Sequence, residues 1–267
     1  MSRIASTFHE LRDKDEAAFI PFTELGDPNF ERSQEVLRIL ARHGDLLELG
    51  FPFSDPIADG PRIQAAIQRA LRSGITPDDC FELLSGLHEE VPDIPLCLLI
   101  YYNLIYARGT ETFIKDAKRS GVDGLLVADM PVEEADPVSE QCEKHDLDQV
   151  FIVAPTTSPD RMRSILEHVS GFVYTVAVVG VTGERDRTRQ RTLDLIRTIR
   201  EESDLPVCVG FGISRPEHVR EMVEAGADGV IVGSALESII EEHHDQPERM
   251  CSKLDEFAGS LKQATIH

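Results

Sequence analysis

Three acidic residues lie close together in the segment Leu47–Pro61. Glu48 belongs to a short apolar run, whereas Asp55 and Asp59 follow in a loop rich in glycine and proline. Burying three unpaired carboxylates would cost more free energy than a core can recover, so we expect this segment to line a cleft. Glu48 and Asp59 are the best candidates for acid–base catalysis in the chain, and we expect Asp55 to hold the shape of the loop.

Three glycine segments near the other end of the chain are typical of a phosphate site. They are Gly180-Val181-Thr182-Gly183, Gly210-Phe211-Gly212-Ile213-Ser214 and Gly233-Ser234-Ala235. Glycine lets backbone N–H groups approach an anion, and a helix that begins at the third segment would add a partial positive charge. Each segment alone could be a tight turn, but three after successive strands favour phosphate. The first could close over the anion as a lid.

The elements that must position these residues are eight apolar runs of strand length. They are Ala17–Phe22, Leu46–Leu49, Ile94–Tyr101, Gly124–Ala128, Gln149–Ala154, Phe172–Ala177, Pro206–Phe211 and Gly229–Val232. The runs are continuous rather than alternating, which is typical of parallel strands covered on both faces, and helix-like sequence separates them. We therefore predict an α/β fold in which residues 1–267 form a single (β/α)8 TIM barrel, with an extra N-terminal helix and a phosphate-binding helix after strand 8.

An open doubly wound sheet is the alternative architecture. It is disfavoured because no G-x-G-x-x-G motif follows the first predicted strand. Within the predicted barrel, Asp27-Pro28, Thr76-Pro77 and Ser158-Pro159 each pair a helix-capping residue with a first-turn proline, so we expect helices to begin there.

The composition limits the partners and the compartment. The 48 acidic residues outnumber the 27 lysines and arginines, and the formal net charge of −21 disfavours nucleic acid and anionic membranes as partners. The segment Met1–Phe19 lacks the apolar core of a signal peptide, and the five cysteines are scattered, so we expect a cytoplasmic protein. The acidic, lysine-poor composition fits either a salty cytoplasm or an ordinary acidic enzyme.

A longer set of segments carries a family resemblance. In chain order they are Pro21-Phe22, Leu25-Gly26-Asp27-Pro28, Leu47-Glu48-Leu49-Gly50, Pro52-Phe53-Ser54-Asp55-Pro56, Ala58-Asp59-Gly60-Pro61, Ile63-Gln64, Val127-Ala128-Asp129-Met130-Pro131 and the three glycine segments. Together they resemble the tryptophan synthase α subunit over nearly the whole chain. The acidic segment is highly specific to that family, whereas many phosphate-binding barrels share the glycine segments.

The resemblance implies a lyase that cleaves indole-3-glycerol phosphate to indole and glyceraldehyde 3-phosphate by a retro-aldol reaction. It implies that Glu48 moves the protons and that Asp59 binds the indole N–H group. Tyr174 could hydrogen-bond Glu48 or be a half-buried strand tyrosine. By the same resemblance, the substrate-binding positions are Phe22, Tyr101, Asn103, Asp129, Tyr174, Thr182 and Phe211, and the phosphate-binding positions are Gly183, Gly212, Gly233 and Ser234.

The resemblance also implies a partner. The family's α subunit binds a β subunit in an αββα heterotetramer that makes L-tryptophan, and pyridoxal phosphate belongs to the β subunit alone. We therefore expect no cofactor and no metal in this chain. The face that would meet the partner carries the Phe53–Gly60 loop, the Tyr101–Tyr106 segment and the loop after Asp129.

The sequence departs from the family at a few positions, and other functions stay open. The segment Ala177-Val178-Val179 is more apolar than usual, and Arg62 stands where a small or neutral residue is frequent, which bears on lid closure. A Schiff-base aldolase is disfavoured because no lysine follows a predicted strand. The alternatives are another phosphate-binding isomerase or decarboxylase, and a regulatory subunit that binds a phosphate ligand without catalysis.

Overall fold

Eight parallel strands close into a barrel in chain order, and β1 pairs with both β2 and β8. The computed structural model describes residues 1–176, 185–210 and 212–266, without the side chains of 185–189. The strands are β1 (Ala18–Glu24), β2 (Leu47–Gly50), β3 (Leu96–Ile100), β4 (Val122–Val127), β5 (Asp148–Val153), β6 (Val173–Val176), β7 (Val207–Gly210) and β8 (Gly229–Val232). The predicted barrel and all eight predicted strands are confirmed.

Helices connect the strands on the outside of the barrel. They are α1 (Arg3–Asp13), α2 (Phe30–Ala41), α3 (Pro61–Arg72), α4 (Pro77–Glu90), α5 (Tyr102–Arg108), α6 (Thr110–Arg119), α7 (Asp136–Lys144), α8 (Pro159–Leu166), α9 (Arg185–Glu202), α10 (Pro216–Glu224), α11 (Ser234–His243) and α12 (Pro247–Gln263), with a short 3₁₀ helix over Val132–Glu134. The predicted N-terminal helix is α1, and α11 is the helix that directly follows the eighth strand.

The core has two layers because successive strand residues point to opposite faces. In β2, Leu47 and Leu49 belong to the apolar layer between strands and helices, whereas Leu46 belongs to the layer inside the barrel. This alternation places Glu48 inside the barrel.

Helix α1 fills the end of the barrel at which the strands begin. Its residues Ile4 and Phe8 are buried with the inner layer, and the Phe8 ring lies 6.0 Å from the Phe172 ring between centroids. Gly124 makes room for this helix, since a Cβ built there would lie 2.7 Å from Cδ1 of Ile4. The inner layer is therefore closed at this end by apolar side chains of α1.

Two of the three predicted helix starts are confirmed and one is wrong. Thr76 and Ser158 accept hydrogen bonds from the first turns of α4 and α8. Asp27 does not cap α2, because Asn29 takes that position and accepts from the backbone N–H of Arg32. The Asp27 carboxylate is instead fully buried and bound by Arg69. Across the described residues, no helix combines the length and apolarity needed to span a bilayer.

Candidate active site

Glu48 projects into the mouth of the barrel at the end where the strands finish. It pairs in register with Phe22 of β1 and Cys97 of β3, and both neighbours belong to the inner layer. Catalytic residues of (β/α)8 barrels stand at this end of the strands, where the connecting loops form the site.

The carboxylate of Glu48 is buried without a donor. The residue is 1% exposed, and neither carboxylate oxygen has a hydrogen-bond partner in the part of the chain that the structure describes. Burial raises the pKa of Glu48 to about 8, and the nearby charge of Asp59 adds to this shift. At neutral pH Glu48 therefore holds a proton that it can donate, with a pKa close to that of an efficient general acid or base.

Tyr174 lies on β6 inside the same mouth, and it is buried rather than half-buried. The hydrogen bond that it could have made to Glu48 is absent, since both Glu48 oxygens lack a partner among the described residues. Its hydroxyl instead lies over Gly210, where any Cβ would overlap it. Tyr174 therefore forms part of the wall of the site beside Glu48.

Asp59 is held at the end of the loop that joins β2 to α3. The Tyr101 hydroxyl donates to Oδ2 of Asp59 at 2.6 Å and accepts from the backbone N–H of Ala58 at 3.0 Å. The Tyr101 ring stacks on Phe53, with 5.2 Å between centroids. Tyr101, which directly follows β3, thus holds the loop that carries Asp59 at Phe53, Ala58 and Asp59.

The environment of Asp59 differs from that of Glu48. Burial raises the pKa of Asp59, while the hydrogen bond from Tyr101 lowers it and opposes the shift. Glu48 receives no such bond from a described residue. Two neighbouring carboxyl groups with different environments are the usual basis for separate acid and anion roles. Asp55, in contrast, is exposed and accepts from the Ser54 hydroxyl within the loop, as expected for a residue that maintains its shape.

The opposite wall of the mouth is suited to an anion. Gly212 has φ +73°, a conformation that favours glycine, and Gly233 has Phe22 against it, so that a Cβ there would lie 2.8 Å from Cδ1 of the ring. Ser234 opens α11, whose first-turn N–H groups have no partner within the helix. Several predicted positions lie outside the described residues. They are Thr182, Gly183 and Phe211, the lid segment Gly180-Val181-Thr182-Gly183, and the apolar segment Ala177-Val178-Val179.

One cleft joins these groups. It has about 550 Å³ of space free of atoms, including the part open to solvent. Its described lining consists of Phe22, Glu48, Asp59, Gly60, Ile63, Leu99, Tyr174, Gly212, Ile213, Ile231, Gly233 and Ser234. The acids and the anion wall therefore face one space, and the apolar residues Ile63, Leu99, Ile213 and Ile231 could hold a flat, apolar ring between them.

Ile63 and Ile213 stand in segments that carry the family resemblance, but the sequence assigned none of these four apolar residues to the cleft. Leu99 and Ile231 lie on strands, so their only signal is their position near strand ends. Three predicted substrate residues are not part of the described lining: Tyr101 lies behind Asp59, and Asn103 and Asp129 are exposed. Asp129 accepts from the backbone N–H of Tyr102 at the start of α5. Substrate contact by these three residues stays a prediction.

The described part of the chain contains no group of three or more histidine, cysteine or acidic side chains arranged to hold a metal ion. Its buried cysteines have pKa values raised by burial, as for Cys97 and Cys208, and so are poor nucleophiles. The carboxyl groups in the described lining of the cleft are those of Glu48 and Asp59, and groups of this type can transfer a proton or stabilise a positive charge.

Comparisons with known proteins agree with the fold. The family model described as tryptophan synthase alpha chain matches residues 8–266. A tryptophan synthase alpha chain from Methanothermobacter thermautotrophicus is 51% identical over 255 residues, which are 95% of this chain and 94% of the relative.

Two solved structures extend the comparison. The tryptophan synthase subunit alpha from Legionella pneumophila superposes with a TM-score of 0.90 at 34% identity, covering 99% of this chain and 98% of that one. A chain of the tryptophan synthase α2β2 complex from the hyperthermophile Pyrococcus furiosus gives a TM-score of 0.85 at 37% identity, covering 92% and 98%.

The buried state of Glu48 predicts how stability depends on pH. Because the folded-state pKa lies above the unfolded value, the contribution of Glu48 is complete below about pH 4 and is lost as pH rises through about 8. Between pH 5 and pH 8 we expect the wild type to lose on the order of 3 kcal/mol more free energy of unfolding than Glu48→Gln. Urea unfolding at a series of pH values measures this difference.

The exposed neighbour Asp55 provides the control. Asp55→Asn should follow the wild-type pH dependence, because Asp55 is exposed and is not part of the described lining of the cleft. Parallel curves for the wild type and Glu48→Gln would show that Glu48 is ionised in the folded protein.

Proposed function

The chain belongs to the tryptophan synthase alpha chain family, and from that premise we propose that it cleaves indole-3-glycerol phosphate to indole and glyceraldehyde 3-phosphate. It is then a carbon–carbon lyase of the aldolase type that uses neither a Schiff base nor a metal. The observation that carries the proposal is the buried Glu48, which faces Asp59 and an anion wall across a single cleft.

Glu48 would make both proton transfers. In its acid form it donates a proton to the ring carbon that bears the glycerol chain, so the ring becomes cationic and can accept an electron pair. The resulting carboxylate then takes the proton of the substrate hydroxyl as the carbon–carbon bond breaks. The bonding electrons return to the ring, an aldehyde forms, and Glu48 ends in the acid form in which it began.

Asp59 would stabilise the positive charge on the ring. Its carboxylate would accept a hydrogen bond from the indole N–H group. In a site that excludes water, this anion lowers the energy of the cationic intermediate. The Tyr101 hydroxyl supports this role, since a hydrogen bond to the carboxylate favours its ionised form.

The phosphate would bind at the wall opposite Asp59. Gly212, Gly233 and Ser234 offer backbone N–H groups and the N-terminus of α11, and these local dipoles attract a dianion even in a chain of net charge −21. Gly183 would complete this site, and Thr182 and Phe211 would contact the substrate. The ring then lies between Ile63, Leu99 and Ile231, with its nitrogen towards Asp59.

The chain would work with a β subunit in an αββα complex and pass indole to it. The relative from Pyrococcus furiosus forms an α2β2 complex. Pyridoxal phosphate would belong to the partner, this chain would need no cofactor of its own, and both would work in the cytoplasm. The predicted partner face carries Ile57, which is 81% exposed, and Tyr106, which is 70% exposed. Large exposed apolar side chains of this kind are typical of a protein interface.

Indole release from indole-3-glycerol phosphate tests the reaction directly. Wild type should release indole, and Glu48→Gln should be slower by a factor on the order of 10³, because the amide cannot make the proton transfers proposed for Glu48. The wild-type rate should fall as pH rises through about 8, where Glu48 loses its proton. A wild type that releases no indole would favour the regulatory subunit or another phosphate-binding enzyme, and a rate that keeps rising above pH 8 would contradict the acid form as the starting state.

Removing the Tyr101 hydroxyl should change the acidic side of the pH profile. In Tyr101→Phe the Asp59 carboxylate loses the hydrogen bond that lowers its pKa, so the acidic limb of kcat/KM should move to higher pH. Tyr102→Phe on the neighbouring residue is the matched control and should keep the wild-type profile. If the acidic limb is unchanged in Tyr101→Phe, the ionisation of Asp59 does not control kcat/KM.

A charge placed on the partner face should weaken the complex. Ile57→Asp is expected to raise the Kd for the β subunit by roughly tenfold or more, because a carboxylate would be buried against the partner. Ile266→Asp is the control, since Ile266 is 42% exposed next to Glu16 at the other end of β1. Sedimentation of mixed subunits measures both, and equal affinities for the two variants would place the interface elsewhere.

A further inference from the structure

Three buried acids and one arginine form a cluster between the phosphate wall and the loop that carries Asp59. The acids are Glu24 at the end of β1, Asp27 in the following loop and Glu237 in the first turn of α11, and the arginine is Arg69 of α3. The three acids are 2%, 0% and 0% exposed. We call these four residues the β1–α11 cluster. None of them belongs to the cleft lining or to the proposed proton transfers.

Arg69 and Asp27 form the ion pair of the cluster. Nε and an Nη of Arg69 donate to the two oxygens of Asp27 at 2.8 and 2.7 Å, in a two-bond arrangement. The guanidinium approaches Oε2 of Glu237 only to 3.6 Å. Its positive charge is therefore matched by Asp27.

Glu237 joins α11 to β1. Its Oε1 accepts from the backbone N–H of Glu24 at 2.9 Å and from the Thr23 hydroxyl at 3.0 Å. Its Oε2 is buried and has no hydrogen-bond donor among the residues that the structure describes. The Asp27 carboxylate lies next to it and, after burial, is the largest cause that raises the pKa of Glu237.

The charges in the cluster do not balance unless protons are bound. Three carboxylates share one guanidinium, and two uncompensated buried charges would cost several kcal/mol each. The pKa of Glu24 is raised by burial and then by Asp59, Glu237 and Asp27, so its carboxyl group also retains a proton. A proton on Oε2 of Glu237 would donate to Asp27 and satisfy the atom that lacks a partner. The other titratable groups that face the cluster are Asp59, Cys80, Tyr101 and Glu241.

The position of Glu237 makes its charge state matter for phosphate. It lies in the first turn of the helix whose N-terminus would bind the dianion, and an ionised carboxylate there would oppose the phosphate. A neutral acid gives the same two hydrogen bonds to β1 without the opposing charge. Arg69, in turn, stands on α3, which begins at Pro61, two residues after Asp59.

We propose that Glu237 is a positioning residue for the reaction: as a neutral carboxylic acid it fixes the first turn of α11 against β1 and Asp27, and so aligns the phosphate site with the loop that carries Asp59. This inference rests on the function proposed above. It assigns Glu237 no contact with substrate.

Two variants separate the hydrogen bonds of Glu237 from its charge. Glu237→Gln keeps an oxygen for Glu24 and Thr23, and its amide can donate to Asp27 in place of the acid proton. Glu237→Leu keeps the volume but leaves both donors of β1 without an acceptor. Glu242→Gln, at an exposed position of the same helix, is the matched control.

The first measurement is thermal unfolding between pH 5 and pH 8. Because a carboxyl group protonated only in the folded state loses its stabilising effect as pH rises, the Tm of the wild type should fall relative to that of Glu237→Gln over this range. Glu242→Gln should stay parallel to the wild type. If the Tm difference between Glu237→Gln and the wild type does not change with pH, Glu237 is ionised and the proposal is wrong.

The second measurement is the KM for indole-3-glycerol phosphate against kcat. Glu237→Gln should keep KM within about twofold, whereas Glu237→Leu should raise it roughly tenfold with a smaller change in kcat. A several-fold lower KM in Glu237→Gln, or a wild-type KM in Glu237→Leu, would overturn the proposal. If the wild type releases no indole, the proposed function fails, while the unfolding experiment still decides the charge state of Glu237.

Discussion

The exclusion of water from acidic side chains is the constraint on which the rest of the site depends. Glu48 is surrounded by the inner apolar layer and has no donor among the described residues, so its proton is retained at neutral pH. Asp59 is also partly buried, but one hydroxyl, from Tyr101, favours its ionised form. The two carboxyl groups thus differ in how strongly they retain a proton, because Glu48 is fully buried without a described donor, whereas Asp59 is less buried and accepts a hydrogen bond from Tyr101.

The barrel provides this exclusion through the alternation of its strands. Every second residue of β2 faces inwards, so Leu46 and Glu48 share the inner layer while Leu47 and Leu49 pack under the helices. Helix α1 closes the far end with Ile4 and Phe8. The mouth at the other end of the barrel stays open. The loops around it orient the side chains, whereas the apolar interior sets the protonation of Glu48.

Much of this was predictable from sequence because it depends on local patterns. Continuous apolar runs predicted the strands, and the acids near the end of the second run predicted the cleft that Glu48 and Asp59 line. The buried cluster was not predictable in this way. Asp27 before a proline is a typical helix cap, but a guanidinium 42 positions away along the chain binds it instead. Glu237 looks like an ordinary first-turn acid, and only the closed barrel brings it against Thr23 and Glu24.

The pairing of β1 with β8 closes the barrel by joining the first strand to the last. It runs from Ala18 opposite Gly229 to Pro21 opposite Val232. Glu48 and Asp59 come from β2 and the loop after it, whereas Ser234 follows β8. The apolar layer that buries Glu48 contains residues from strands as far apart along the chain as β1 and β8, so Glu48 stays in contact with water until the barrel closes. The cleft therefore forms only when β8 has paired with β1, and this one step both buries the acid and brings the first turn of α11 to the cleft.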